Sequence, residues 1–165
     1  MPTTSGVELR VADEVWISAA LLQREHPGKL DFRVDEIVAR AAQEAIAGPV
    51  RPGVYVHAVQ HCVANRAPNP ARYRMLIETS PGRRRLFRKG DRYHPGREGG
   101  KITPVPGQIP SAYVELLDWY QAWSSEAQRS STAKDPLLAL KGSGAQLWSD
   151  EAPDNYVRRL REGWE

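Results

Sequence analysis

The stretch Tyr73-Arg74-Met75-Leu76-Ile77-Glu78-Thr79-Ser80-Pro81-Gly82-Arg83-Arg84-Arg85-Leu86-Phe87-Arg88 decides how this chain is read. Tyr73, Met75 and Ile77 alternate with Arg74 and Leu76, the two-residue period of a strand. Ser80-Pro81-Gly82 has turn chemistry, because Pro presets φ and Gly accepts a positive one. Arg83 to Arg88 then reads as a return strand that stops at Gly90-Asp91. The pair makes a hairpin with a strongly basic tip and second strand.

Three helices precede it. Residues 13–25 carry Trp16, Ala19, Ala20 and Gln23 on one side, with Val15, Leu21 and Leu22 widening the apolar stripe. Asp13 reads as the N-cap, Glu14 suits the positive helix start, and His26-Pro27-Gly28 ends the helix. Phe32-Arg33-Val34 reads as a short strand. Asp35 then caps a helix from Glu36 to about Ala47, with Ile37, Val38, Ala41, Ala42 and Ala45 on its apolar face. Pro52 sits at a first-turn position of a third helix that runs to about Asn65. Its inner stripe is Val54, Ala58 and Cys62, extended by Val59 and Val63. Its outer face carries Arg51, Tyr55, His57, Gln60 and His61.

Beyond the hairpin, residues 93–108 are Gly- and Pro-rich with little regular pattern. Ile109 to Trp123 reads as a fourth helix with Tyr113, Leu116, Leu117, Tyr120 and Trp123 on one face. Ser124 to Lys134 is polar and Ser-rich and reads as a linker. The expected organisation is a domain at 10–123, a linker at 124–134 and a tail at 135–165. The expected class is mainly α with a small β-hairpin.

The net charge of +3 hides an asymmetry. Residues 71–101 hold ten basic side chains against three acidic ones, an excess of seven, so the remainder carries a deficit of four. Such an imbalance speaks to partners, not to fold. The order helix, strand, helix, helix, hairpin is that of a winged helix-turn-helix, in which the third helix enters the major groove and the wing lies along the backbone. The candidate contacts to double-stranded DNA are Arg51, Tyr55, His57, Gln60 and His61 on the helix. Arg74, Arg83, Arg84, Arg85 and Arg88 are the candidates on the wing. Arg and Gln can address base edges, and the wing arginines suit phosphates. A winged-helix scaffold used for protein contacts is the other reading of the same pattern.

The segments Trp16-Ile17 with Leu21-Leu22, Phe32-Arg33-Val34-Asp35-Glu36-Ile37-Val38 and His61-Cys62-Val63-Ala64-Asn65 resemble a bacterial winged-helix family over roughly residues 12–92. The resemblance implies association with DNA and no particular reaction. No Gly-rich phosphate loop, Gly-x-Ser-x-Gly elbow or Cys-His dyad is present, so catalysis is not expected. His57 and His61 lie four apart, but Ala58 stands where a zincin needs Glu, and Cys62 fits the core stripe. No metal or other cofactor is expected. The lone cysteine excludes an internal disulfide and fits a reducing, cytoplasmic setting. The chain has no apolar run long enough to span a membrane and opens without a secretory pattern.

The tail, 135–165, is too short to bury a core of its own. It carries Leu138-x-Leu140-x-Gly142, Leu147-Trp148, Asp154-x-Tyr156-Val157-Arg158 and Leu160-Arg161-x-Gly163-Trp164. These motifs resemble the C-terminal tails of type II antitoxins of the VapB kind, which pair with PIN-domain toxins. The resemblance implies a partner-binding segment through Leu147, Trp148, Tyr156, Arg158, Arg159, Arg161 and Trp164. Its arginines would face the carboxylates of a nuclease site. Packing on the chain's own domain and homodimer formation are the other readings of this segment.

Overall fold

The structure is a computed structural model and describes residues 8–133 together with Arg158 and Arg161. The chain divides into two compact units, Met1–Ser124 and Ser125–Glu165.

Helix α1 (Val11–Glu25) is the axis of the first unit. Every residue from Ala12 to Leu21 is buried, so this helix meets neighbours on all sides. It begins two residues before the expected start. Arg10 holds the N-cap position, while Asp13, expected as the cap, lies one turn inside and is fully buried. The cause is a partner distant in sequence: Asp13 Oδ1 accepts from Lys101 Nζ at 2.8 Å. At the other end the amide of His26 donates to Leu22 O at 2.9 Å, and Pro27 stops the helix.

Strand β1 (Phe32–Arg33) leads directly into α2 (Val34–Glu44). The expected cap, Asp35, again falls inside the first turn. Glu36 closes the helix start by accepting the Arg33 amide at 2.8 Å. Ile37 and Ala41 are buried and Val38 partly so, as their spacing requires, whereas Ala42 and Ala45 face solvent. Helix α3 (Pro52–Val56) has Pro52 at its start as expected, but it changes after five residues into a π-type turn, His57–His61. It stops at His61 instead of near Asn65. The carbonyls of Gln60 and His61 are taken by the Arg97 guanidinium, at 2.9 and 2.8 Å. The chain is then drawn to the sheet by a Val63–Leu76 bridge.

Strands β2 (Leu76–Ser80) and β3 (Arg83–Leu86) form the expected hairpin. They pair antiparallel with Leu76 opposite Leu86, Ile77 opposite Arg85 and Glu78 opposite Arg84. Gly82 takes φ +75° at the turn, which a side chain would strain. β2 begins later than the alternation suggests. The amides of Met75 and Leu76 both donate to Cys62 O, and that of Arg74 donates to Lys101 O at 2.8 Å. Strand β1 pairs with the other side of β3, giving the order β1-β3-β2.

Three short 3₁₀ turns follow, at Pro95–Arg97, Pro106–Gln108 and Ser111–Tyr113. Helix α4 (Glu115–Ala133) then buries Leu116 and Tyr120. The Tyr120 ring meets Trp16 edge to face at 5.6 Å, and its hydroxyl donates to Phe87 O. Ser124–Ala133, expected as a flexible linker, continues this helix. Serine costs a helix little, and the acidic first turn with Glu115 and Asp118 favours its start. No helix among the described residues is long and apolar enough to cross a membrane.

Candidate nucleic-acid interface

Much of the basic run that dominates the sequence is engaged by partners within the fold, although only Arg84 and Arg97 of it are buried. Arg84, expected on a phosphate, is 1% exposed. Its Nε donates to Ala58 O at 3.1 Å, and its Nη1 lies 2.8 Å from Glu78 Oε2. The guanidinium ties β3 to the turn after α3, and burial draws its pKa down against the pull of Glu78. Arg85 makes a two-pronged pair with Asp91, at 2.7 and 2.8 Å. Arg88 lies over the Trp123 ring, 4.2 Å from its centre. Arg74 stacks over Tyr93 at 4.4 Å and donates to Gly100 O. These four groups brace the hairpin and the loop beyond it. A carboxylate, carbonyl or ring already holds each one, and the burial of Arg84 corrects the expectation that it meets a phosphate.

The candidates on the third helix divide in the same way. Gln60 gives its amide to Ala67 O at 2.7 Å. His61 has its Nδ1 buried, and its ring lies 4.8 Å from that of His57. His57 pairs through Nδ1 with Gly53 O at 2.8 Å; burial lowers its pKa, and the nearby charges of His61 and Arg51 act in the same sense. Arg51 pairs with the fully buried Glu14 at 2.6 Å. Tyr55 alone stands well out, at 54% exposed. Among the described residues, no three or more His, Cys, Asp or Glu side chains are grouped to hold a metal.

The fold brings three of the expected residues, Tyr55, Arg83 and the buried Arg84, to one groove of about 450 Å³ between α3, the start of α2 and the hairpin turn. Arg33 and Arg66 also line it, and the buried Arg84 closes its floor. Neither Arg33 nor Arg66 was expected at the interface. Arg33 could have been found, because period two puts it on the face of β1 opposite the buried Phe32. Arg66 lies in a loop with no such pattern.

Three carboxylates answer these four guanidinium groups. Arg83 Nε lies 2.6 Å from Asp31, Arg66 Nη2 lies 2.6 Å from Glu78, and Arg33 Nη2 lies 3.1 Å from Asp35. The pairs differ in depth. Arg33 and Asp35 are 64% and 74% exposed, and ion pairs that exposed hold little energy, so the guanidinium can turn to another anion. Asp31 sits lower, and hydrogen bonds from Thr79 and Arg83 hold its carboxyl below the usual range. Chemically, the groove offers three accessible guanidinium groups and one aromatic hydroxyl along an open edge. That arrangement can grip a row of phosphates. No family model, curated protein or solved structure matches the chain.

Proposed function

We propose that the first unit is a winged helix-turn-helix that binds double-stranded DNA. The supporting observation is the strand order β1-β3-β2, produced by a chain that runs helix, strand, helix, helix, hairpin. In that arrangement α3 presents Tyr55 to the major groove, and the turn at Pro81-Gly82 lies against the backbone beside it. Arg33, Arg66 and Arg83 supply the phosphate contacts that set position, while Tyr55 supplies the first contact at the base edges. The interface is smaller than the sequence charge suggests, because most of the wing arginines are structural. The test is selection of bound duplexes from a random library, with wild type and Tyr55→Ala compared. A changed sequence preference in the variant supports α3 as the reading element. An identical preference removes it.

The role extends to that of an antitoxin that represses its own synthesis, with residues 135–165 holding a toxin of the PIN nuclease kind. This part rests on the tail motifs. Leu147, Trp148, Tyr156, Arg159 and Trp164 lie outside the described residues, while Arg158 and Arg161 are exposed and helical. Deletion of 135–165 should leave DNA binding in place and abolish protection against the neighbouring gene product. A deletion that also abolishes DNA binding would assign the tail to the domain itself.

A further inference from the structure

A second cleft, of about 720 Å³, opens on the side of the first unit where α1 begins. Arg10, Arg51, His57, Tyr73 and Gln108 line it, with the first turn of α1 as its floor. Its volume falls in the range of metabolite sites.

Two fully buried carboxylates lie next to the lining: Glu14 holds Arg51 directly, and Asp13 holds Lys101, which in turn engages Gln108. Glu14 Oε2 takes both Nε and Nη2 of Arg51, at 3.0 and 2.6 Å. That grip commits Nε and Nη2 to Glu14, and Arg51, on the lining of the cleft, keeps 34% exposure. Asp13 Oδ1 takes Lys101 Nζ at 2.8 Å, and the same ammonium donates to Gln108 Oε1 at 3.2 Å. With its oxygen so committed, the Gln108 amide must turn its N–H groups away from Lys101. Arg10 is exposed at the rim, and the amides of Val11 and Ala12 have no carbonyl within the helix to receive them. Glu8, also on the lining, is the single exposed carboxylate there among the described residues. The preference therefore comes from aimed donors, not from net charge.

We propose that this cleft binds a small oxyanion, the carboxylate or phosphate group of a metabolite-sized molecule, between Arg10, Arg51 and Gln108. Two guanidinium groups and a primary amide match the in-plane lone pairs of such a group. Burying Glu14 and Asp13 next to the lining means that the donors need little reordering when the ligand arrives.

The experiment is a titration of the ¹⁵N-labelled full chain, followed by amide shifts. One arm uses inorganic phosphate and the other succinate, each against sodium chloride at matched ionic strength. At least one anion should give saturable shifts at Val11, Ala12 and Gln108, and the stronger arm identifies the ligand group. Arg10→Gln and Gln108→Leu should each weaken binding at least fivefold, with the rest of the spectrum unchanged. Among the described residues Arg10 has no ion pair or side-chain hydrogen bond, so its variant stays informative if Gln108→Leu disturbs the fold. The proposal is overturned if neither anion gives saturable shifts, or if Arg10→Gln binds as wild type, which would mean an adventitious ion only. The measurement uses no DNA, so its failure leaves the nucleic-acid reading untouched.

Discussion

Arg97 offers the sharpest test of how the fold is held. Its side chain is fully buried, yet no carboxylate among the described residues pairs with it. Instead the guanidinium donates to carbonyls of the segment between the third helix and the hairpin. Nε reaches Arg66 O at 2.6 Å; Nη1 reaches Tyr73 O at 2.7 Å and His61 O at 2.8 Å; Nη2 reaches Gln60 O at 2.9 Å. Hydrogen bonds to a charged donor are worth about 1.5–3 kcal/mol each, so these four hold roughly 6–12 kcal/mol gross. Taking the ion out of water costs several kcal/mol, which Arg97→Met would recover. The expected net loss is about 3–5 kcal/mol, large against a typical stability of about 5–15 kcal/mol. At roughly 4 °C per kcal/mol the thermal midpoint should fall by about 12–20 °C. Arg97→Lys, with three donors and no planar fork, should recover only part of it. Circular dichroism melts of the two variants and of Arg72→Ala, an exposed control, measure this directly. A loss below about 1 kcal/mol in Arg97→Met would refute the claim that the guanidinium organises this segment.

The wing arginines should separate by depth. Arg84→Met should cost about 2–4 kcal/mol in urea unfolding, because it strips a buried donor from Ala58 and Val59. Arg83→Ala should cost less than about 1 kcal/mol, since it breaks only a half-exposed pair. Equal losses would contradict the assignment. Cys62 is fully buried and burial pushes its thiol pKa far up, so it should resist alkylation in the native protein and react only on unfolding. Rapid labelling of the folded chain would show that the core packs differently. The Asp31 carboxyl is held below its ordinary 3.8 by Thr79 and Arg83, so its contribution is present above that value and fades as pH falls through the folded one. The melting points of wild type and Asp31→Asn should therefore differ at pH 6 and converge as the pH is taken progressively below 3.8. A constant gap would show that the pair does not titrate as described.

How much was legible beforehand depended on the range of the interaction. The apolar spacing of Trp16, Ile37, Ala41, Val54 and Ala58 placed each on the inner face, because helical period is a local property. The turn at Pro81-Gly82 was equally local. Both acidic caps were misplaced, because Lys101 fixes Asp13 from far along the chain and Glu36, not Asp35, closes α2. Arg84 was misplaced for a related reason: charge in a sequence does not say which face a side chain takes. Arg84 carried a usable sign, since it alternates in phase with the buried Leu86. Arg97 carried none, and its six carbonyl partners are visible only in the folded chain. The groove accordingly brings Tyr55, Arg83 and Arg84 together with Arg33 and Arg66, which the charge pattern did not single out.

The salt dependence of binding to a labelled 30-base-pair duplex, read by fluorescence anisotropy, bears most directly on the proposed function. Three phosphate contacts per protein, through Arg33, Arg66 and Arg83, give an expected log–log slope of about −2.7. Affinity should then fall about 40-fold between 50 and 200 mM salt. The double variant Arg33→Ala/Arg83→Ala should bring the slope to about −0.9 without lowering the melting point by more than a few degrees. No binding at 50 mM salt, or a slope that the double variant leaves unchanged, would contradict DNA binding through this groove.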